Sequence, residues 1–94
     1  MATRAEIYAA IDGERDYQDR RWAPEETSTG GRHSVAEFAI FIDDYLREMK
    51  TQLSRNAEPG ASARALETLR KITAMGVACM EQHGAPRRVL SLTD

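Results

Sequence analysis

Ser34-Val35-Ala36-Glu37-Phe38-Ala39-Ile40-Phe41-Ile42-Asp43-Asp44-Tyr45-Leu46-Arg47-Glu48-Met49 decides the fold class. Val35, Phe38, Ile42, Tyr45 and Met49 recur at alternating spacings of three and four, the period of an amphipathic helix. Ser34 opens that helix with Glu37 three residues on, a capping box in which hydroxyl and carboxylate each satisfy an otherwise orphaned backbone N–H. Ile40, Phe41, Leu46 and Leu53 widen the apolar stripe. A helix apolar around so much of its circumference is expected to be central, touching two neighbours or another subunit.

The flanking sequence supplies two more helices. The first, about 3–22, starts at a second capping box, Thr3 to Glu6, has an apolar face of Ile7, Tyr8 and Ile11, and is expected to bury Ile7 and Ile11 in the core. Gly13 weakens its middle, and Pro24 disfavours helical geometry just before it. The third, about 62–83, is expected to be capped by Ser62 and to bury Leu66, Leu69, Thr73, Gly76, Val77 and Met80, with Ile72 and Cys79 beside them. Gly76 in mid-helix suggests close approach of another helix, and Gly84 with Pro86 ends the element. Residues 85–94 form a tail carrying Val89, Leu90 and Leu92. No strand-like alternation or internal repeat is present, so the expectation is an all-α bundle of three main helices in one domain, 1–94, assembled as a homo-oligomer. Phe38, Phe41, Tyr45 and Met49 are the expected interface.

Composition narrows the function. The chain has 94 residues, 41% hydrophobic and 30% charged, the balance of one globular domain. A formal net charge of −2 argues against a bulk nucleic-acid binder. Of the 13 cations 11 are Arg, which suits anionic partners and equally a GC-rich genome. Cys79 is alone and reads as a core thiol. Without a leader-like apolar region, and with Phe38 to Ile42 the longest strongly apolar run, the chain is expected to be cytoplasmic and to have no membrane partner.

The chemistry concentrates in Glu14-Arg15-Asp16-Tyr17-Gln18-Asp19-Arg20-Arg21-Trp22. Glu14, Gln18 and Trp22 stand one above another on a helix, continuing the stripe of Ile7 and Ile11. A stripe that turns from aliphatic to carboxylate, amide and indole leaves the core for water, a partner or a pocket. The cost of burying unpaired polar groups makes a pocket or network the sharper expectation. Arg70 and Lys71 lie mid-helix beside Leu69 and Ile72, so the Arg70 guanidinium needs either a carboxylate (Glu14 or Asp44) or a phosphate. Gly30-Gly31-Arg32-His33 reads as a linker or an anion cradle. Glu37, Asp44 and Glu48 share a face, either as a solvated acidic surface, with Asp44 pairing to Arg47, or as oxygen ligands for magnesium beside a phosphate. His33 and His83 are too far apart in sequence to suggest zinc. Cys79 and His83, four residues apart, form a dyad in spacing only, since Met and Ala surround the thiol.

Glu14-Arg15-x-x-Gln18-x-x-x-Trp22, the acid-bearing second helix and the run Leu69-Arg70-Lys71-Ile72-Thr73-Ala74-Met75-Gly76-Val77-Ala78-Cys79-Met80-Glu81-Gln82-His83-Gly84-Ala85-Pro86 together resemble small phage proteins related to the MazG-like all-α nucleotide pyrophosphohydrolases. That resemblance implies magnesium held by an E-E-x-x-E pattern on one helix and E-x-x-D on the next. Here the corresponding runs are Asp43-Asp44-x-x-Arg47 and Glu67-x-x-Arg70, each with a cation where the last acid should stand. Guanidinium in place of a metal ligand suits direct phosphate binding better than hydrolysis.

The expected function is therefore sequestration of a phosphate-bearing nucleotide, linear or cyclic, including an immune signalling nucleotide of the phage host, without cofactor or turnover. Glu14, Arg15, Tyr17, Gln18, Trp22, Arg70 and Lys71 are the expected ligand-binding residues, with Tyr17 or Trp22 stacking on the base. A magnesium-dependent pyrophosphohydrolase using Glu37, Asp44 and Glu48, and an inhibitor that blocks a host protein, are the alternatives.

Overall fold

The structure, a computed structural model, describes residues 1–23, 30–54 and 58–89. Much of the expected first loop, the turn around Asn56 and the apolar end of the tail (Leu90, Leu92) lie outside the described residues. Among the described residues the fold is three helices and no strand: α1 (Arg4–Arg21), α2 (Val35–Ser54) and α3 (Ala61–His83).

Local chemistry sets the helix ends. The Thr3 hydroxyl accepts from the Glu6 N–H at 3.1 Å. The Glu6 carboxylate accepts from that hydroxyl rather than from the Thr3 backbone. At α2 the box is reciprocal: Glu37 N–H donates to Ser34 Oγ at 3.1 Å, and Ser34 N–H to Glu37 Oε1 at 3.0 Å. Ser62 is not the cap of α3. The helix starts one residue earlier, after Gly60 in the left-handed conformation (φ 83°), and no side chain caps it. Gly84, with φ 98°, closes α3 by donating its N–H to Met80 O at 2.7 Å.

The central helix is α3, not α2: α1 and α2 each pack on α3 and not on each other. The face that α3 turns inward also differs from expectation. Ala61, Ala65, Thr68, Ala74, Met75 and Ala78 are buried, whereas Leu66 (64%), Leu69 (41%) and Met80 (46%) are exposed. Small residues let the flanking helices approach α3 closely, and two such contacts leave the leucine stripe on a third, uncovered side. Gly76 belongs to that stripe, and a Cβ built there meets nothing within 4 Å, so no helix of the chain approaches it. Ile7, expected in the core, is 48% exposed beside the same stripe. Ile11 is buried.

On α2 the expected interface residues point inward. Phe38 is buried, and Phe41, Tyr45 and Met49 are half-buried, on a helix whose partner is α3. Val35, Ile40, Leu46 and Leu53 are the large apolar residues that α2 leaves exposed. Among the described residues the buried apolar core is Ile11, Phe38, Met75 and four alanines, with no large side chain wholly buried.

Candidate functional site

The polar end of the α1 stripe faces α3. Glu14 is buried, and its Oε1 accepts from Arg70 Nε at 2.8 Å. Of the two carboxylates expected to compete for Arg70, Glu14 is therefore the partner. Gln18, also buried, donates through Nε2 to the Lys71 carbonyl at 3.4 Å and accepts from Arg15 at 3.1 Å. These bonds tie the two helices together and explain how a carboxylate and an amide tolerate burial.

Next to this junction opens a cavity of about 380 Å³ lined by Glu14, Tyr17, Gln18, Arg21, Trp22, Tyr45, Arg70 and Lys71. It gathers six of the seven expected ligand residues from α1 and α3 and adds Tyr45 from α2. Arg15 is elsewhere. Its Nε donates to Glu81 at 2.6 Å and a terminal nitrogen to Asp19 at 2.9 Å, so its charge is committed within the protein. Burial alone would lower the Arg15 pKa, but the Glu81 and Asp19 carboxylates outweigh that and hold it above its ordinary value.

Arg21 was missed by sequence reading, although it stands four residues after Tyr17 on the same side of α1. The Arg21 and Lys71 side chains, and both terminal nitrogens of Arg70, make no hydrogen bond or ion pair among the described residues. Three cations with donors to spare thus stand around one cavity, beside the paired Glu14 carboxylate, and donors of this kind can pair with an anion.

A second cavity of about 320 Å³ adjoins it, lined by Trp22, His33, Phe41, Asp44, Tyr45 and Met75. Trp22 and Tyr45 line both cavities, so a cation-rich pocket and an aromatic slot share one wall. The slot's far side is built by the segment before α2. His33 packs edge-on to Phe41, with ring centroids 5.1 Å apart, and to Phe38 at 5.6 Å. The two histidines, distant in sequence, meet here: His83 Nε2 lies 2.7 Å from the His33 carbonyl. Gln82 completes the latch, donating to the Gly31 carbonyl and accepting from the His33 N–H, each at 3.0 Å. The end of α3 thus fixes residues 31–33 of the expected Gly-rich linker.

Comparison with family models, curated proteins and solved structures finds no match to this chain. The site is read from its own chemistry.

The residues of the magnesium alternative are spread along α2. Glu37 is engaged in the capping box, and its pKa is lowered chiefly by the Ser34 backbone N–H, then by the Ser34 hydroxyl and by His33. Arg47 pairs with Asp43 at 3.0 Å and not with Asp44. Among the described residues no three His, Cys, Asp or Glu side chains gather as a metal site. No described helix is long and apolar enough to cross a membrane.

Proposed function

We propose that this protein binds a phosphate-bearing nucleotide and sequesters it without hydrolysis. One observation carries the reading: the cation-lined pocket and the aromatic slot meet at Trp22 and Tyr45. A nucleotide has the same order of parts. Phosphate sits among Arg21, Arg70 and Lys71, the sugar passes the shared wall, and the base enters the slot between aromatic side chains. Base-on-aromatic stacking contributes about 1–3 kcal/mol per base. The MazG-like resemblance, and with it capture of an immune signalling nucleotide by a phage protein, belongs to this proposal. The hydrolytic alternative loses support because Glu37 is occupied at a helix cap and Arg47 and Arg70 stand where acids would hold magnesium.

Self-association through the uncovered α1–α3 face is part of the same proposal. Ile7, Ala10, Ile11, Leu66, Leu69 and Thr73 line a groove of about 350 Å³ there. A chain with so few large core side chains needs a partner that is always present, and another copy meets that need.

A thermal melt with a nucleotide panel tests the binding. A ligand at 100 times its dissociation constant adds about 2.7 kcal/mol, so at least one nucleoside phosphate raises the midpoint while its free nucleoside does not. A midpoint unmoved by every nucleotide refutes the proposal.

A further inference from the structure

We propose that the aromatic slot selects guanine, with the Asp44 carboxylate accepting from the base's N1–H and N2 amino group; the inference rests on the nucleotide reading above. Asp44 is the sole carboxylate lining the slot, among Trp22, His33, Phe41, Tyr45 and Met75. Its neighbour Asp43 takes Arg47, and among the described residues no hydrogen bond or ion pair reaches Asp44. An ionised carboxylate only accepts hydrogen bonds, and two oxygens side by side match two parallel N–H donors.

The ligand's parts decide which donors these are. Phosphate has none, and an unpaired carboxylate repels it, whereas the Glu14 carboxylate of the other cavity is paired with Arg70. The cations that suit phosphate line the other cavity, to which Asp44 does not belong. The sugar, joining phosphate to base, falls at the wall the two cavities share. Asp44 therefore faces the base. Guanine alone among the common bases offers two adjacent donors on its pairing edge. Adenine and cytosine place an acceptor nitrogen beside their amino group, which would face the carboxylate without a proton between them. Uracil and thymine have a single donor flanked by carbonyls. A carboxylate set for a paired hydrogen bond favours the base that offers both donors over analogues that lack one.

Calorimetric titration of the full chain with GTP, ITP, ATP and dGTP tests this, without magnesium, alongside Asp44→Asn. GTP is expected to bind at least about tenfold more tightly than ATP, and ITP, which lacks only the N2 amino group, to fall between them. dGTP should match GTP. Asp44→Asn, at an exposed and unpaired position, should fold as the parent does and lose the preference for GTP, with GTP bound less tightly than by the parent and ATP no less tightly. Equal affinity for GTP and ATP, both weakened by Arg70→Ala, overturns the guanine assignment while nucleotide binding stands. A loss of affinity for dGTP equal to that for ATP assigns Asp44 to the sugar and also overturns it. Absence of binding by all four overturns this inference together with the reading beneath it.

Discussion

Arg70 Nε meets Glu14 Oε1 at 2.8 Å across the α1–α3 junction, and the two side chains are unequally buried, 8% exposed for Glu14 and 41% for Arg70. The pair holds the helices together and aims the rest of the guanidinium at the cavity. Removing either partner therefore has different consequences.

Arg70→Ala strands a buried carboxylate and should lower unfolding free energy by about 2 kcal/mol. That is less than the 3–5 kcal/mol of a fully buried pair, because solvent already screens the guanidinium. Glu14→Gln keeps an acceptor oxygen and strands no buried charge, so it should cost less. Urea unfolding without ligand measures both, and a larger loss for Glu14→Gln would contradict this account of the junction.

Leu66→Glu or Leu69→Glu should break the self-association placed on the uncovered face. Light scattering at micromolar concentration should show the parent at a multiple of 10.5 kDa and the variants near that single mass. A monomeric parent would remove the interface from the account.

The capping box at α2 should make stability sensitive to acid. The folded-state pKa of Glu37 is depressed, chiefly by the Ser34 backbone N–H. Its contribution is thus complete above the ordinary carboxylate value of about 4.3 and is lost as pH falls through the lower folded value. Glu37→Gln should melt earlier than the parent at pH 7, with the difference shrinking as pH falls below about 4. A difference that grows in acid would show the sign to be wrong.

Glycines should respond according to backbone and space. A Cβ at Gly13 meets nothing within 4 Å in a regular helix, so Gly13→Ala should stabilise by about 0.5–1 kcal/mol. Gly84 has φ 98°, where an L side chain is strained, so Gly84→Ala should cost at least about 1 kcal/mol. Thermal unfolding of the two variants should move in opposite directions.

Three helix limits were legible because their signals are local: the Thr3 cap, the Ser34–Glu37 box and the Gly84 stop act within three or four residues. The start of α3 was not, because Gly60 rather than Ser62 precedes it and no side chain caps it. Which face of α3 turns inward was not legible. Size alone favours Leu66 and Leu69 as core, but a helix held between two others accommodates alanines at its contacts, and that depends on neighbours absent from a single helix's pattern. The polar end of the α1 stripe was legible as a pocket or a network, since the cost of burying Glu14 and Gln18 is a property of the residues themselves, but Ile7 at its start is exposed rather than core. Arg15 and Arg21 could not be sorted in the same way. Both are arginines on one helix, and Glu81 approaching from α3, together with Asp19 one turn on, commits the first and leaves the second free for the cavity. His33 and His83, 50 positions apart, meet through tertiary packing that no spacing rule encodes.

Native mass spectrometry of the intact protein, with and without a panel of nucleoside phosphates, tests the central claim most directly because it counts chains and ligands together. The account predicts an assembly of several 10.5 kDa chains that takes up one nucleotide per cavity, with uptake lost when Arg70 and Lys71 are both replaced by Ala and the double variant remains folded. An assembly that takes up no nucleotide at millimolar concentration, or that takes it up equally well without both cations, would contradict it.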